Sequence, residues 1–121
     1  MADIEFDDDG KVRLLARHHG EVALSQAKWN MICGKPERYY YRLNGDKVAT
    51  TLIAPDVVRH HASIATQFFY YKRFPKWQLV AGVEGPALMM AVVIDTETQK
   101  VCTVFPVHGP KPGREYKPSN G

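Results

Sequence analysis

From Gln67 onward the chain is written as strands set at hairpin spacing, and that spacing limits what it can fold into. Residues 67–74 are aromatic and strand-like, and Pro75-Lys76 turns them. Residues 79–84 read as the next strand, ended by Gly85-Pro86. Residues 88–95 (Leu-Met-Met-Ala-Val-Val-Ile-Asp) are a nearly unbroken apolar run, the pattern of a strand covered on both faces. Residues 95–99 make a hairpin loop, and residues 100–106 form the closing strand. Strands joined by so few residues can pair only antiparallel.

The first half follows other rules. In residues 11–17, Val12, Leu14 and Ala16 fall on one side of a first strand, which His18-His19-Gly20 breaks. Ser25 is a good N-cap for a helix reaching Cys33. Trp29, Ile32 and Cys33 give that helix one apolar face, and Gly34 and Pro36 stop it. Tyr39-Tyr40-Tyr41 reads as an ordered loop whose rings suit stacking or a protein interface. Asp46 is placed to cap a second helix through Val48, Leu52 and Ile53. Pro55 interrupts it, and Asp56 is placed to cap a last helical turn, Val57-Val58-Arg59. The expected fold is α+β: two N-terminal helices packed on one face of a mostly antiparallel four- to five-stranded sheet.

At 121 residues the chain is the size of one domain. Its charge divides it further. Residues 1–10 carry five carboxylates and no base, and read as a flexible acidic leader. Residues 11–106, the expected domain, carry thirteen Lys/Arg against seven Asp/Glu, a balance that suits polyanions. Residues 107–121 are a basic, Pro/Gly-rich tail expected to be extended. No apolar run is long enough for a membrane helix. The acidic N-terminus lacks the charge pattern of a secretory signal, so a cytoplasmic protein without membrane contact is expected. Cys33 and Cys102 then read as reduced, buried thiols.

Several chemistries lack their residues. The five histidines have no chelating spacing, so no metal site is expected. Phosphate-binding glycine motifs and the Gly-x-Ser-x-Gly elbow are absent, and no cofactor is expected. Carboxylates in the body are too sparse for a glycosidase pair or a two-metal nuclease. What remains is metal-free chemistry by Lys, Arg, His, Tyr and Thr. RNA cleavage suits that set, because RNA brings its own nucleophile, the 2′-hydroxyl. The protein need supply a base, an acid and cations for the developing phosphorane charge. Tyr70-Tyr71-Lys72-Arg73 and the stretch from Thr103 to His108 carry those side chains on expected strands.

Three segments point to a family. Residues 24–32 (Leu-Ser-Gln-Ala-Lys-Trp-Asn-Met-Ile) resemble the opening of phage-associated nuclease-like domains of the barnase–EndoU–colicin–RelE class. Residues 51–59 (Thr-Leu-Ile-Ala-Pro-Asp-Val-Val-Arg) resemble the family's helix ending. Residues 101–106 (Val-Cys-Thr-Val-Phe-Pro) sit where its closing strand stands. The resemblance spans roughly residues 11–115. It implies a RelE- or barnase-like fold and a metal-independent endoribonuclease, in a toxin or phage-derived effector. RNA is then the expected partner, with a protein inhibitor or a homodimer as further partners. Arg59 and Lys72 or Arg73 are expected to meet phosphate charge, Thr103 to position the phosphate and His108 to carry a proton. Lys35, Tyr70, Tyr71 and Lys111 are expected to contact RNA. Two positions depart from the pattern: Lys35 stands where the family has His, and Phe105 where it has Tyr. Both losses favour the alternative, a catalytically inactive RNA- or protein-binding module.

Overall fold

The computed structural model describes residues 3–38, 40–80, 83–85, 87–110 and 113–116. Strand β1 (Lys11–Ala16) pairs antiparallel with β2 (Gly20–Ser25) around a tight turn. Gly20, at φ +81°, takes the left-handed conformation that lets the chain reverse there. The sequence reading had no β2. Its alternation of buried Val22 and Leu24 is only three residues long and runs straight into a helix cap. That cap is Ser25, whose Oγ accepts the Lys28 N–H at 3.0 Å and opens α1 (Gln26–Cys33). Trp29, Ile32 and Cys33 are buried on its inner face, as expected.

Two short 3₁₀ turns, Pro36–Arg38 and Arg42–Asn44, lead to α2 (Asp46–Ile53). The N-cap of α2 is Gly45, so Asp46 is its first helical residue instead of its cap. Residues 57–59 do not form a helical turn. They belong to strand β3 (Val57–His60), which suits two β-branched valines following a proline. Asp56 takes a different task from capping. Its Oδ2 accepts the Arg73 N–H at 2.7 Å and its Oδ1 lies 3.7 Å from Lys72 Nζ, tying the start of β3 to the end of its neighbour.

That neighbour is β4 (Gln67–Phe74). Next come β5 (Trp77–Val80) and β6 (Val83–Gly85), a separate antiparallel pair in place of the single strand expected over residues 79–84. Strands β7 (Leu88–Asp95) and β8 (Lys100–Val107) complete the chain's regular structure. The main sheet has six strands in the order β1-β2-β8-β7-β4-β3 and curls into a half-barrel. It is mixed: β2 meets β8 in parallel at Ala23 and Lys100, and the other pairs are antiparallel. The α+β class therefore stands, with six strands instead of four or five. Strand β8 is central instead of closing, because the β1–β2 hairpin docks on its far side. The tail returns to the opposite edge. The His60 N–H donates to the Arg114 carbonyl at 2.8 Å, and the Tyr116 N–H to the Val58 carbonyl at 2.7 Å.

Both helices pack on one sheet face, over Val22, Leu24, Tyr70, Val92, Ile94 and Val104. The acidic leader joins this core from Asp3 onward. Ile4 and Phe6 pack against it, and Asp3 Oδ1 accepts the Trp29 indole N–H at 2.9 Å. Among the described residues, no helix is long and apolar enough to cross a membrane.

Candidate functional site

The helix-free face of the sheet collects much of the expected machinery. Alternation along β3, β4, β7 and β8 sends Arg59, Phe69, Val93 and Thr103 to this face, and the strand register sets them in one row. The next row is Val57, Tyr71, Ala91 and Phe105, and the third ends β4 and β8 with Arg73, Met89 and Val107. Phe69 and Phe105 meet edge to face at 6.4 Å, and with Tyr71 and Met89 they form a second apolar cluster. The floor is thus aromatic, with arginines at two corners and a hydroxyl at a third. Arg73 Nη2 donates to the His108 carbonyl at 3.2 Å, which fixes His108 beside it. Elsewhere, Lys11, Lys28 and Lys100 border a hollow of about 180 Å³ where α1 and β8 begin. None of the three has a carboxylate within ion-pair distance among the described residues.

The other expected site residues lie elsewhere. Lys72 points to the helix-bearing side and is neutralised by Asp56, so of the alternating pair only Arg73 faces the aromatic floor. Tyr70 and Tyr71 point to opposite faces and are 0% and 1% exposed. Neither ring is open for a base to stack on, which corrects their expected role as exposed contacts. Lys35 is exposed in the loop after α1, in the helical layer and off this face. Lys111 lies outside the described residues, as does Tyr39.

A second constellation was missed by the sequence reading. The β1–β2 turn carries His18 and His19 across the mouth of the half-barrel to β3, β4 and the returning tail. Tyr116 lies against three histidines, with ring centres 5.7 Å from His18, 4.8 Å from His19 and 5.6 Å from His60. His19 stacks on Phe68 at 4.1 Å. The Tyr70 hydroxyl accepts the His18 N–H at 3.1 Å and lies 2.6 Å from His19 Nδ1. Using the hydroxyl's one proton there leaves the imidazole proton on Nε2, and that atom is buried with no hydrogen-bond partner among the described residues. Burial, reinforced by His18 and His60, pushes the His19 pKa down to about 4. Burial pushes Tyr70 up to about 12. Both shifts have the same main cause, burial that favours the neutral form of each ring. The only sequence signal was the unusual adjacency in His18-His19 and His60-His61, which says nothing of what faces what.

Cys33 and Cys102 are free thiols, and burial raises both pKa values, Cys33 to about 11. Among the described residues no group of His, Cys, Asp and Glu is arranged to hold a metal ion. No family model, curated protein or solved structure matches this chain.

Proposed function

We propose that this chain is an endoribonuclease-like domain of the barnase–EndoU–colicin–RelE kind, working without a metal on the helix-free face of its sheet. The observation that carries the reading is the row Arg59–Phe69–Val93–Thr103, which sets a cation, an aromatic ring and a hydroxyl across four neighbouring strands. Single-stranded RNA is held by that combination: rings meet splayed bases while cations and hydroxyls meet the backbone. In this reading the 2′-hydroxyl attacks its own phosphate, and the 5′ oxygen leaves. Arg59 and Arg73 meet the developing charge, Thr103 orients a phosphate oxygen and His108 carries the proton.

A second reading has its own support. Lys72 is paired with Asp56 and both Tyr70 and Tyr71 are buried, which leaves fewer proton-handling groups on this face. A binding module on the same scaffold needs none of them. Incubating the full chain with mixed-sequence RNA, with and without EDTA, separates the two. Cuts that survive EDTA and end in 2′,3′-cyclic phosphate are the expected result. Arg73→Ala should then slow cleavage by about 10²-fold or more at unchanged melting temperature, since Arg73 is exposed. Intact RNA at concentrations where binding is seen would overturn the ribonuclease reading and leave the binding module.

A further inference from the structure

The tail strand brings Arg114 beside His60, which sets a guanidinium donor next to an imidazole ring. Arg114 Nη2 lies 3.5 Å from His60 Nδ1. The backbones of both are fixed, since the His60 N–H donates to the Arg114 carbonyl at 2.8 Å. Gly113, just before, is pressed so close that an added Cβ would lie 2.9 Å from the His60 carbonyl oxygen. The backbone pairing therefore places the two residues side by side. No carboxylate among the described residues lies within ion-pair distance of Arg114. Glu115 borders the same place, but its backbone bridges to Arg59.

Around this pair lies an open hollow of about 530 Å³, lined by His60, Arg114, Glu115 and Tyr116. His18 and His19 stand behind Tyr116. Guanidinium, imidazole and phenol groups thus border one hollow, with the exposed Glu115 as its one acidic member among the described residues. A guanidinium fork beside an imidazole matches the oxygens of a phosphate group.

We propose that the hollow at the mouth of the half-barrel is a binding site for a phosphate group, held by Arg114 and His60 with Tyr116 at its wall. The site lies apart from the helix-free face and does not rest on the ribonuclease reading. The phosphate belongs either to a free small anion or to a nucleotide, and both present the same dianionic head.

The imidazole resonances of the full chain report on it directly. Inorganic phosphate, titrated against chloride at matched ionic strength, should shift the His60 ring signals saturably. Arg114→Ala should weaken that response at least tenfold, and Arg114→Lys should restore part of it through charge alone. Arg114 is exposed, so neither variant should disturb the fold. A nucleoside 5′-monophosphate binding more tightly than inorganic phosphate would assign the site to a nucleotide. Equal or weaker binding would assign it to a free anion. Shifts that follow chloride as closely as phosphate in the unaltered protein would overturn the proposal, as would an undiminished response in Arg114→Ala.

Discussion

His19 is the residue whose surroundings most oppose its charge. Phe68 and Tyr116 cover its ring, Tyr70 holds Nδ1, and His18 and His60 bring further positive charge to the neighbourhood. The folded protein therefore keeps this imidazole neutral down to about pH 4, whereas the unfolded chain protonates it near the ordinary value of 6.5. Between those two values the unfolded state binds the extra proton. The stability His19 contributes is thus complete above about pH 6.5 and is lost as pH falls toward about 4. The melting temperature should fall across that window. His19→Asn has no such proton to take up and should show a shallower fall, at a lower overall melting temperature. Equal slopes in the two proteins would mean that the acid sensitivity comes from other groups. None of this could be read from the sequence, because His18-His19 and Tyr116 are brought together by the pairing of β3 with the tail.

Single buried side chains also join the elements. Asn44 is 0% exposed, in the 3₁₀ turn before α2, and its amide behaves as a neighbouring strand would. Nδ2 donates to the Gln78 carbonyl at 2.7 Å and to the Tyr40 carbonyl at 2.8 Å, while Oδ1 accepts the Gln78 N–H at 3.0 Å. This anchors the β5–β6 hairpin to the helical layer. Asn44→Ala strands two backbone groups, the Gln78 N–H and carbonyl, while the Tyr40 carbonyl keeps the Leu43 N–H at 3.2 Å, and losing partners of this kind costs about 1–3 kcal/mol for each group left unsatisfied. A loss of about 2 kcal/mol or more in urea unfolding is expected. Asn30→Ala, whose side chain bonds Arg42 at the exposed surface, should stay within about 0.5 kcal/mol. The same element shows what local patterning can and cannot reveal. Ser25 and the spacing of Trp29, Ile32 and Cys33 are local signals, and they locate α1 correctly. The apolar run of β7 reveals its central place for the same reason. Strand β3 is different. Asp56 before a short apolar stretch looks like a cap, and only the bonds from Arg73 and Lys72, late in β4, reveal a strand start. The mixed order of the sheet is equally non-local, since nothing near residues 20–25 announces a parallel partner at Lys100.

The charge of the whole molecule is arranged by the fold and not merely by the order of residues. Five carboxylates in residues 1–10 beside a basic body suggest a leader lying over the face proposed to meet RNA and competing for it. The leader instead runs along the helical side. Asp3 reaches Trp29 and Arg42, and Asp3, Ile4 and Glu5 border a hollow with Val12, Leu14 and Val48. That places its anchored end behind the sheet from Arg59, Arg73 and Thr103. Charges on opposite sides of a domain are separated by more than the Debye length of about 10 Å at 0.1 M salt, so their competition for a polyanion is largely screened. Removing residues 1–10 uncovers apolar surface under Ile4 and Phe6 and deprives the Trp29 indole of its acceptor. The deletion should therefore lower the melting temperature clearly. At physiological salt it should leave RNA affinity, measured below the new melting temperature, within about twofold. A several-fold rise in affinity at that salt, with stability unchanged, would mean that the leader screens the helix-free face after all. The same rise seen only at low salt would be the long-range effect of five removed charges, which any position on the molecule would produce.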